Sequence, residues 1–148
     1  MNKYRITILL TASVLIISFL ACAPAATPPA ASGAKVTVTC EQFSQNSHIV
    51  QDATAAVGST VTVTLCSNPT TGFSWGEQAQ ISDKAVLKQT SHKTVAAADT
   101  GMVGAPGTQV WTFEALKAGS STVSFSYSRP WEGGEKDVQT FKLNVTVK

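Results

Sequence analysis

Apolar side chains recur at every second position along four separate runs of this sequence, and that pattern limits the chain to a narrow set of folds. An alternation of period two buries one face of a β-strand and leaves the other in water, which is typical of antiparallel sheets. No segment keeps the 3.6-residue apolar period of a helix for three turns. The four runs are Val36 and Val38; Val61, Val63 and Leu65; Val123, Phe125 and Tyr127; and Phe141, Leu143, Val145 and Val147.

Further short runs raise the number of predicted strands to about eight. Trp111 and Phe113 belong to a strand with the same alternation, and other strand-like runs occur at 49–50, 73–75 and 86–93. Short strands in this number, separated by turn residues, are typical of an immunoglobulin-like sandwich. The sequence therefore predicts an all-β fold over residues 35–148, an immunoglobulin-like β-sandwich of about eight antiparallel strands, and this length is enough to bury a sizeable core.

The residues before this domain have a different composition. Residues 1–21 contain Lys3 and Arg5, then an apolar run that ends at Leu20 and a small residue, which is the pattern of a secretory signal. The apolar run is too short and wrongly flanked for a lasting membrane span. Residues 22–34 consist mainly of Ala, Pro, Thr and Ser, a composition that predicts an unfolded tether.

The end of the apolar run, Ser18-Phe19-Leu20-Ala21-Cys22, resembles the lipobox of bacterial lipoproteins. In a lipobox the cysteine becomes the lipidated first residue of the mature chain, although Phe19 stands here where leucine is usual. Lipidation of Cys22 would make the protein an exported lipoprotein, anchored to the membrane at the cell surface or in the periplasm. The alternative is cleavage nearby by the ordinary signal peptidase, which predicts export without an anchor.

The charge balance excludes some classes of partner. The chain has 11 Lys and Arg residues against nine Asp and Glu, and Lys3 and Arg5 fall in the predicted signal, so the mature protein is formally neutral. A neutral domain without a basic cluster is not expected to bind nucleic acid. Nothing in the sequence demands more than a monomer.

Two cysteines remain in the domain, Cys40 and Cys66. An exported chain meets an oxidising compartment, so a disulfide between them is expected. If the alternation continues without a break, however, Cys40 lies on the same strand face as Val38, whereas Cys66 lies on the face opposite to that of Leu65. A bridge would then need a bulge that turns one of the two cysteine side chains to the other face. Two free thiols are the alternative.

Residue patterns for catalysis or metal binding are lacking. The histidines, His48 and His92, stand in strand-like runs without an acidic neighbour or a nucleophile motif. Both are therefore interpreted as surface residues of strands rather than as catalytic residues. No spacing of cysteine, histidine or acidic residues suits zinc or calcium, and no glycine-rich loop opens a helix for phosphate. The sequence predicts neither an enzyme nor a metal or cofactor site.

Three segments between the predicted strands contain proline, glycine, arginine or tryptophan residues that a simple connection between strands would not require. We call them the first loop (Asn68–Phe73), the middle loop (Gly101–Gly107) and the third loop (Arg129–Gly134). Proline and glycine pre-shape the first loop, and a stiff loop loses little entropy when it docks. The third loop carries Arg and Trp, the residue types most enriched in binding hot spots. The candidate binding residues are Asn68, Pro69, Thr70, Thr71, Gly72, Phe73, Gly104, Ala105, Pro106, Gly107, Arg129, Pro130 and Trp131.

Each loop also has a simpler interpretation. The first loop is then an ordinary turn of a sandwich, the middle loop a flexible connector, and Trp131 a side chain folded back over the sandwich edge.

In their order and spacing, Asn68–Phe73 with Trp75, a glycine-rich loop, and Arg129-Pro130-Trp131 resemble the chagasin family of cysteine-peptidase inhibitors, over roughly residues 35–148. The resemblance implies three loops gathered at one end of the sandwich, where they block the active-site cleft of papain-like cysteine peptidases. It implies that the first loop enters the cleft while the other two grip the enzyme on either side. Inhibition is then reversible, tight and non-covalent. In the middle loop, Pro106 replaces a glycine of the family pattern.

A second class of function fits the same fold. A lipid-anchored sandwich could bind a carbohydrate or a cell-surface protein, with Trp75 and Trp131 as stacking platforms.

Overall fold

The computed structural model describes residues 32–96 and 104–148. The predicted signal, Cys22, nearly all of the tether and the first part of the middle loop lie outside the described residues. Within them, no helix is long and apolar enough to cross a membrane. The strands are β1 (Ala34–Val38), β2 (His48–Ala55), β3 (Thr60–Ser67), β4 (Ser74–Trp75), β5 (Gln80–Ile81), β6 (Leu87–Val95), β7 (Gly107–Ala115), β8 (Gly119–Ser128) and β9 (Gln139–Val147), with a helix α1 (Cys40–Gln45) and a 3-10 turn (Pro69–Thr71).

Two sheets form the sandwich. One has the strand order β1-β3-β7-β6, and the other has the order β2-β9-β8-β4, with β5 also paired to β8. Trp111 of the first sheet contacts Phe125 of the second, with 4.7 Å between ring centroids, so the two sheets share one core. The predicted all-β sandwich is confirmed.

The sheets are mixed, whereas the alternation led us to expect antiparallel strands. β1 runs parallel to β3, and β2 runs parallel to β9, while the remaining pairs are antiparallel. Period-two alternation reports only that one face of a strand is buried, and a parallel strand at a sheet edge satisfies that condition equally well. The chain crosses between the sheets from β1 to β2, which places each of them parallel to its neighbour.

The core confirms the predicted facing of the strands. Every residue of the four alternating runs is buried except Val36, which is partly buried. The largest buried side chains are the aromatic residues Trp75, Trp111, Phe113 and Phe141. Trp111, Phe113 and Phe141 each contact the Phe125 ring, and such aromatic pairs add to the stability that buried area provides.

Helix α1 was not predicted. It begins after Thr39, whose Oγ1 accepts a hydrogen bond from the Gln42 N–H, while Gln42 Oε1 accepts one from the Thr39 N–H. This reciprocal pair is a capping box, which satisfies two backbone donors at the helix start. Only Phe43 of this helix is buried. One buried residue in six gives no apolar period to detect.

The same helix explains the cysteines. Cys40 and Cys66 are joined in the structure by a disulfide, with 5.2 Å between their Cα atoms. The mismatch in facing arose because strict alternation was continued from Val38 to Cys40. The strand ends at Val38, and α1 begins at Cys40, so the bridge needs no bulge.

Candidate functional site

Strand pairing brings the first loop, the third loop and the described part of the middle loop, residues 104–107, to one end of the sandwich. The first loop follows β3 and the middle loop precedes β7, and the pairing of Ser67 with Gly107 places them side by side. The third loop joins β8 to β9. The pairing of Ser74 with Ser128 places its start beside the exit of the first loop. The predicted gathering of the loops at one end is confirmed.

Internal hydrogen bonds fix the shape of the first loop. The Asn68 side-chain oxygen accepts from the Thr70 N–H at 3.2 Å and from Thr70 Oγ1 at 2.6 Å. The Thr71 N–H donates to Asn68 O and the Gly72 N–H to Pro69 O, each at 3.2 Å. Gly72 has φ of 77°, in the left-handed region that glycine adopts without strain. The loop is therefore a closed 3-10 turn that leaves Thr70 and Thr71 exposed.

Tyr127 of β8 holds both ends of this loop. Its hydroxyl accepts a hydrogen bond from the Asn68 N–H at 2.9 Å and donates one to Asn68 O at 3.2 Å. Its ring stacks on Phe73 at a centroid distance of 5.7 Å. The alternation predicted Tyr127 only as a core residue. A buried tyrosine needs a partner for its hydroxyl, and its position next to a strand end was the available signal of this role.

The middle loop is tied to the first by one hydrogen bond between described residues, from Asn68 Nδ2 to Gly104 O at 3.1 Å. Gly104 has φ of 84°, and Thr70 Oγ1 lies 3.7 Å from the position that a Cβ on Gly104 would take. That distance is an ordinary van der Waals contact, so the positive φ, rather than a lack of space, favours glycine at this position. Pro106 is exposed beside them.

The third loop is braced by charges. The Arg129 guanidinium lies 4.4 Å from the centre of the Phe73 ring and pairs with Glu135, with Nη1 3.3 Å from Oε2. Lys136 Nζ donates to Arg129 O at 2.5 Å and to Trp131 O at 3.0 Å. The sequence interpretation missed Glu135 and Lys136, because charged residues in a loop give no local sign of the carbonyls they will bind.

Trp131 connects the third loop to the first. A Cβ on Gly72 would lie only 2.8 Å from Trp131 Cη2, so the ring rests directly on the Gly72 backbone. The side chain is nevertheless 52% exposed. Trp131 is therefore neither a free side chain nor one folded away over the sandwich edge. One part of the ring is fixed against the first loop, and the rest is available to a partner.

The second platform of the carbohydrate-binding interpretation is absent, because Trp75 is 2% exposed. Its Nε1 donates to Cys66 O at 2.8 Å, and its ring packs between Phe43 and Tyr127. A buried indole cannot stack on a sugar. This finding removes one of the two residues on which that interpretation depended.

The histidines occupy the strands predicted for them. His48 is exposed at the start of β2, with Nδ1 3.0 Å from Thr140 Oγ1. His92 lies in β6, with Nε2 3.2 Å from Gln109 Oε1 and its ring 5.0 Å from that of Trp111. Residues 32–96 and 104–148 contain no cluster of side chains able to hold a metal ion.

The fold and the loop end define a class of protein: an immunoglobulin-like sandwich whose first loop contacts both of the other two loops at one end. Residues 54–145 match the family described as Chagasin family peptidase inhibitor I42, a match that spans more than half of the chain and includes all three loops. The chain therefore belongs to the chagasin family of peptidase inhibitors, and it is an inhibitor rather than an enzyme.

Individual relatives agree with this assignment. Chagasin of Trypanosoma cruzi is 34% identical over 93 residues, which cover 61% of this chain and 83% of chagasin. Amoebiasin-2 of Entamoeba histolytica is 31% identical over 88 residues, which cover 60% of this chain and 70% of that protein. The crystal structure of a cysteine protease inhibitor from Entamoeba histolytica shares the fold, with a TM-score of 0.60 and 23% identity over 78% of this chain and 97% of the other.

Proposed function

We propose that this protein inhibits papain-like cysteine peptidases reversibly, tightly and without a covalent bond, and that its three loops block the active-site cleft. The observation that carries the proposal is the braced loop end of a chagasin-family chain. Hydrogen bonds and ring contacts join the first loop to both of the others. A first loop that is held in this way loses little entropy on binding, which favours tight association.

The first loop has the features of a wedge. Its tip consists of two small side chains, Thr70 and Thr71, and carries no charge. Both hydroxyls donate to Asn68, to its side-chain oxygen and its backbone oxygen respectively, so the tip presents methyl groups and backbone. A closed turn of this kind fits a substrate groove, yet it resists the extended geometry that a peptidase needs for attack on a peptide bond. The loop would therefore occupy the cleft without being cleaved.

The middle and third loops would contact the enzyme on either side of the cleft. Trp131 is an exposed aromatic side chain held on a rigid base, which is the usual form of an interface anchor. Arg129 would act mainly by stabilising the third loop, because its guanidinium contacts the Phe73 ring and pairs with Glu135. Gly104 to Gly107 would form the opposite contact.

The direct experiment measures inhibition constants of the purified protein without residues 1–22 against papain, a legumain-like peptidase and a serine peptidase. We expect inhibition of papain with one inhibitor monomer per enzyme. Lack of papain inhibition by a folded protein would overturn the proposal, and binding to a carbohydrate array would then favour the alternative function.

Trp131→Ala should weaken papain inhibition about thirtyfold, because truncation of an aromatic anchor at an interface costs about 2 kcal/mol or more. Val50→Ala is the control, since Val50 is also a largely exposed apolar residue and lies on β2. The comparison uses inhibition constants and melting temperatures of both variants. Equal inhibition by the folded Trp131→Ala variant and the wild type would remove Trp131 from the binding surface.

Gly72→Ala should weaken inhibition by a similar factor, because the added methyl group would displace the Trp131 ring from its base. The control is Gly58→Ala. Gly58 has the same φ of 77°, but no atom of residues 32–96 and 104–148 lies within 4 Å of its added Cβ. It lies in the β2–β3 turn at the opposite end of the sandwich. Both variants carry the backbone strain of a left-handed alanine, about 1 kcal/mol or more.

The two alanines should therefore lower the melting temperature to a similar degree, while only Gly72→Ala impairs inhibition of papain. If both variants inhibit equally well, contact between Gly72 and Trp131 does not position the binding surface.

We further propose that the protein is exported and anchored to the membrane by a lipid on Cys22. The motivation is the lipobox-like sequence before a Pro- and Ala-rich tether. Labelled fatty acid fed to bacterial cells that express the full chain should enter the wild type and not Cys22→Ala. Labelling of both proteins to the same extent contradicts lipidation at this residue and leaves export by ordinary signal cleavage.

A further inference from the structure

A fourth element lies at the end of the sandwich that carries the three loops. β1 runs parallel to β3, with Val38 paired to Leu65, so the segment after β1 emerges where the first loop begins. β2 starts at His48 beside Thr140, next to the end of the third loop. The connection between them, which contains α1, therefore crosses the sandwich at the loop end. Its disulfide attaches it to Cys66, two residues before the first loop.

Between α1 and the first loop is an open recess of about 350 Å³. Phe43 and the Cys40–Cys66 disulfide line it together with Thr71 and Phe73 of the first loop and with Val138, which precedes β9. The recess is at the small end of the range for ligand pockets, roughly 300–1,000 Å³, and has room for a single aromatic or branched aliphatic side chain.

The lining selects for an apolar occupant. Among the described residues, no charged side chain borders the recess, and carbon and sulfur atoms make up most of its surface. Four of the polar residues that line it have partners within the protein: Asn68 is bonded to Gly104, Ser67 Oγ accepts from Gln109, the Tyr127 hydroxyl is bonded to Asn68, and Thr71 Oγ1 donates to Asn68 O. Gln139 is the remaining polar side chain of the lining, so the recess is mostly apolar.

We propose that this recess receives an apolar side chain from the rim of the peptidase cleft, so that inhibitor and enzyme make a fourth contact beside the three loops. The inference rests on the proposed function. Thr71 belongs both to the recess wall and to the tip that would enter the cleft, so the recess faces the enzyme surface directly next to that tip. The recess is thus continuous with the binding surface.

Gln139→Phe tests the proposal by filling the recess from within. Gln139 borders the recess and lies on the face of β9 that carries the buried residues Phe141 and Leu143. A phenylalanine there should occupy the recess without projecting towards the enzyme, and the melting temperature should stay unchanged or rise. Because burial of one apolar side chain is lost to the complex, inhibition of papain should weaken about ten- to a hundredfold.

Two controls define the cause of any change. Thr146→Phe adds the same ring to the exposed face of β9 at the far end and should inhibit like the wild type. Circular dichroism of the Gln139→Phe variant is the second control, because a wild-type spectrum shows that the fold is kept. Full inhibition by a folded Gln139→Phe variant overturns the inference while the proposed function stands. Lack of inhibition by the wild type overturns both.

A second measurement does not depend on a variant. The methyl signals of Val138 in the NMR spectrum should shift when papain binds and should show contacts to protons of the enzyme. Unchanged Val138 signals in a complex that forms normally overturn the inference.

Discussion

Replacement of both bridge cysteines, as Cys40→Ser with Cys66→Ser, should lower the free energy of unfolding by about 3–4 kcal/mol on the chain-entropy account of disulfides. The bridge joins residues separated by 26 positions, and this loop closure restricts the unfolded chain. Urea unfolding of the wild type and of the double variant measures the difference. The wild type in reductant should unfold at the same urea concentration as the variant, since both lack the cross-link.

Inhibition should change much less than stability, because the first loop has other attachments. Tyr127 holds Asn68 through two hydrogen bonds, and the turn is closed by its own backbone. Papain is assayed in reductant, so the state of the bridge in the assay buffer must be determined by intact mass. A double variant as stable as the wild type would show that the bridge adds nothing beyond what α1 already contributes.

The core and the loops were predictable because their signals are local. Val61, Val63 and Leu65 face inward because alternate side chains of any strand point to opposite faces, whatever its partner. Likewise, Pro69 and Gly72 restrict their own backbone, so the first loop is recognisable as a turn without knowledge of its neighbours.

Strand direction and α1 were not predictable for the opposite reason. The direction in which β1 pairs with β3 depends on where the chain crosses between sheets, and alternation contains no information on it. α1 depends on a capping box at Thr39 and on a bridge to Cys66, so tertiary contact decides its conformation rather than an apolar period. The error in the facing of Cys40 follows from the helix that was missed.

The residues that stabilise the third loop could not be predicted from the sequence either. Lys136 binds the carbonyl oxygens of Arg129 and Trp131, and Glu135 pairs with the Arg129 guanidinium. In sequence these are unremarkable charged residues of a polar loop. Only the path of the third loop back towards its own start gives them partners, and that path is a property of the folded chain.

The first loop is the part of the site where a single change should have the largest effect on function. Thr71→Arg should weaken inhibition of papain at least a hundredfold, or about 2.7 kcal/mol. Thr71 is exposed at the loop tip, and an arginine there adds a long, charged side chain where the proposed complex has a narrow cleft. The loop cannot move aside easily, because Asn68 is bonded to both Tyr127 and Gly104.

Two controls separate this steric and electrostatic effect from loss of the turn. Thr71 Oγ1 donates to Asn68 O at 2.7 Å, and loss of that bond alone should cost about 1 kcal/mol of stability. Thr71→Ser keeps the hydroxyl and should inhibit nearly as well as the wild type. Thr146→Arg adds the same charge to the outer face of β9 and should have no effect on inhibition. Should the Thr71→Arg variant fold and inhibit papain as the wild type does, the tip of the first loop does not enter the cleft. Trp131 and the recess beside α1 would then have to account for the affinity without it.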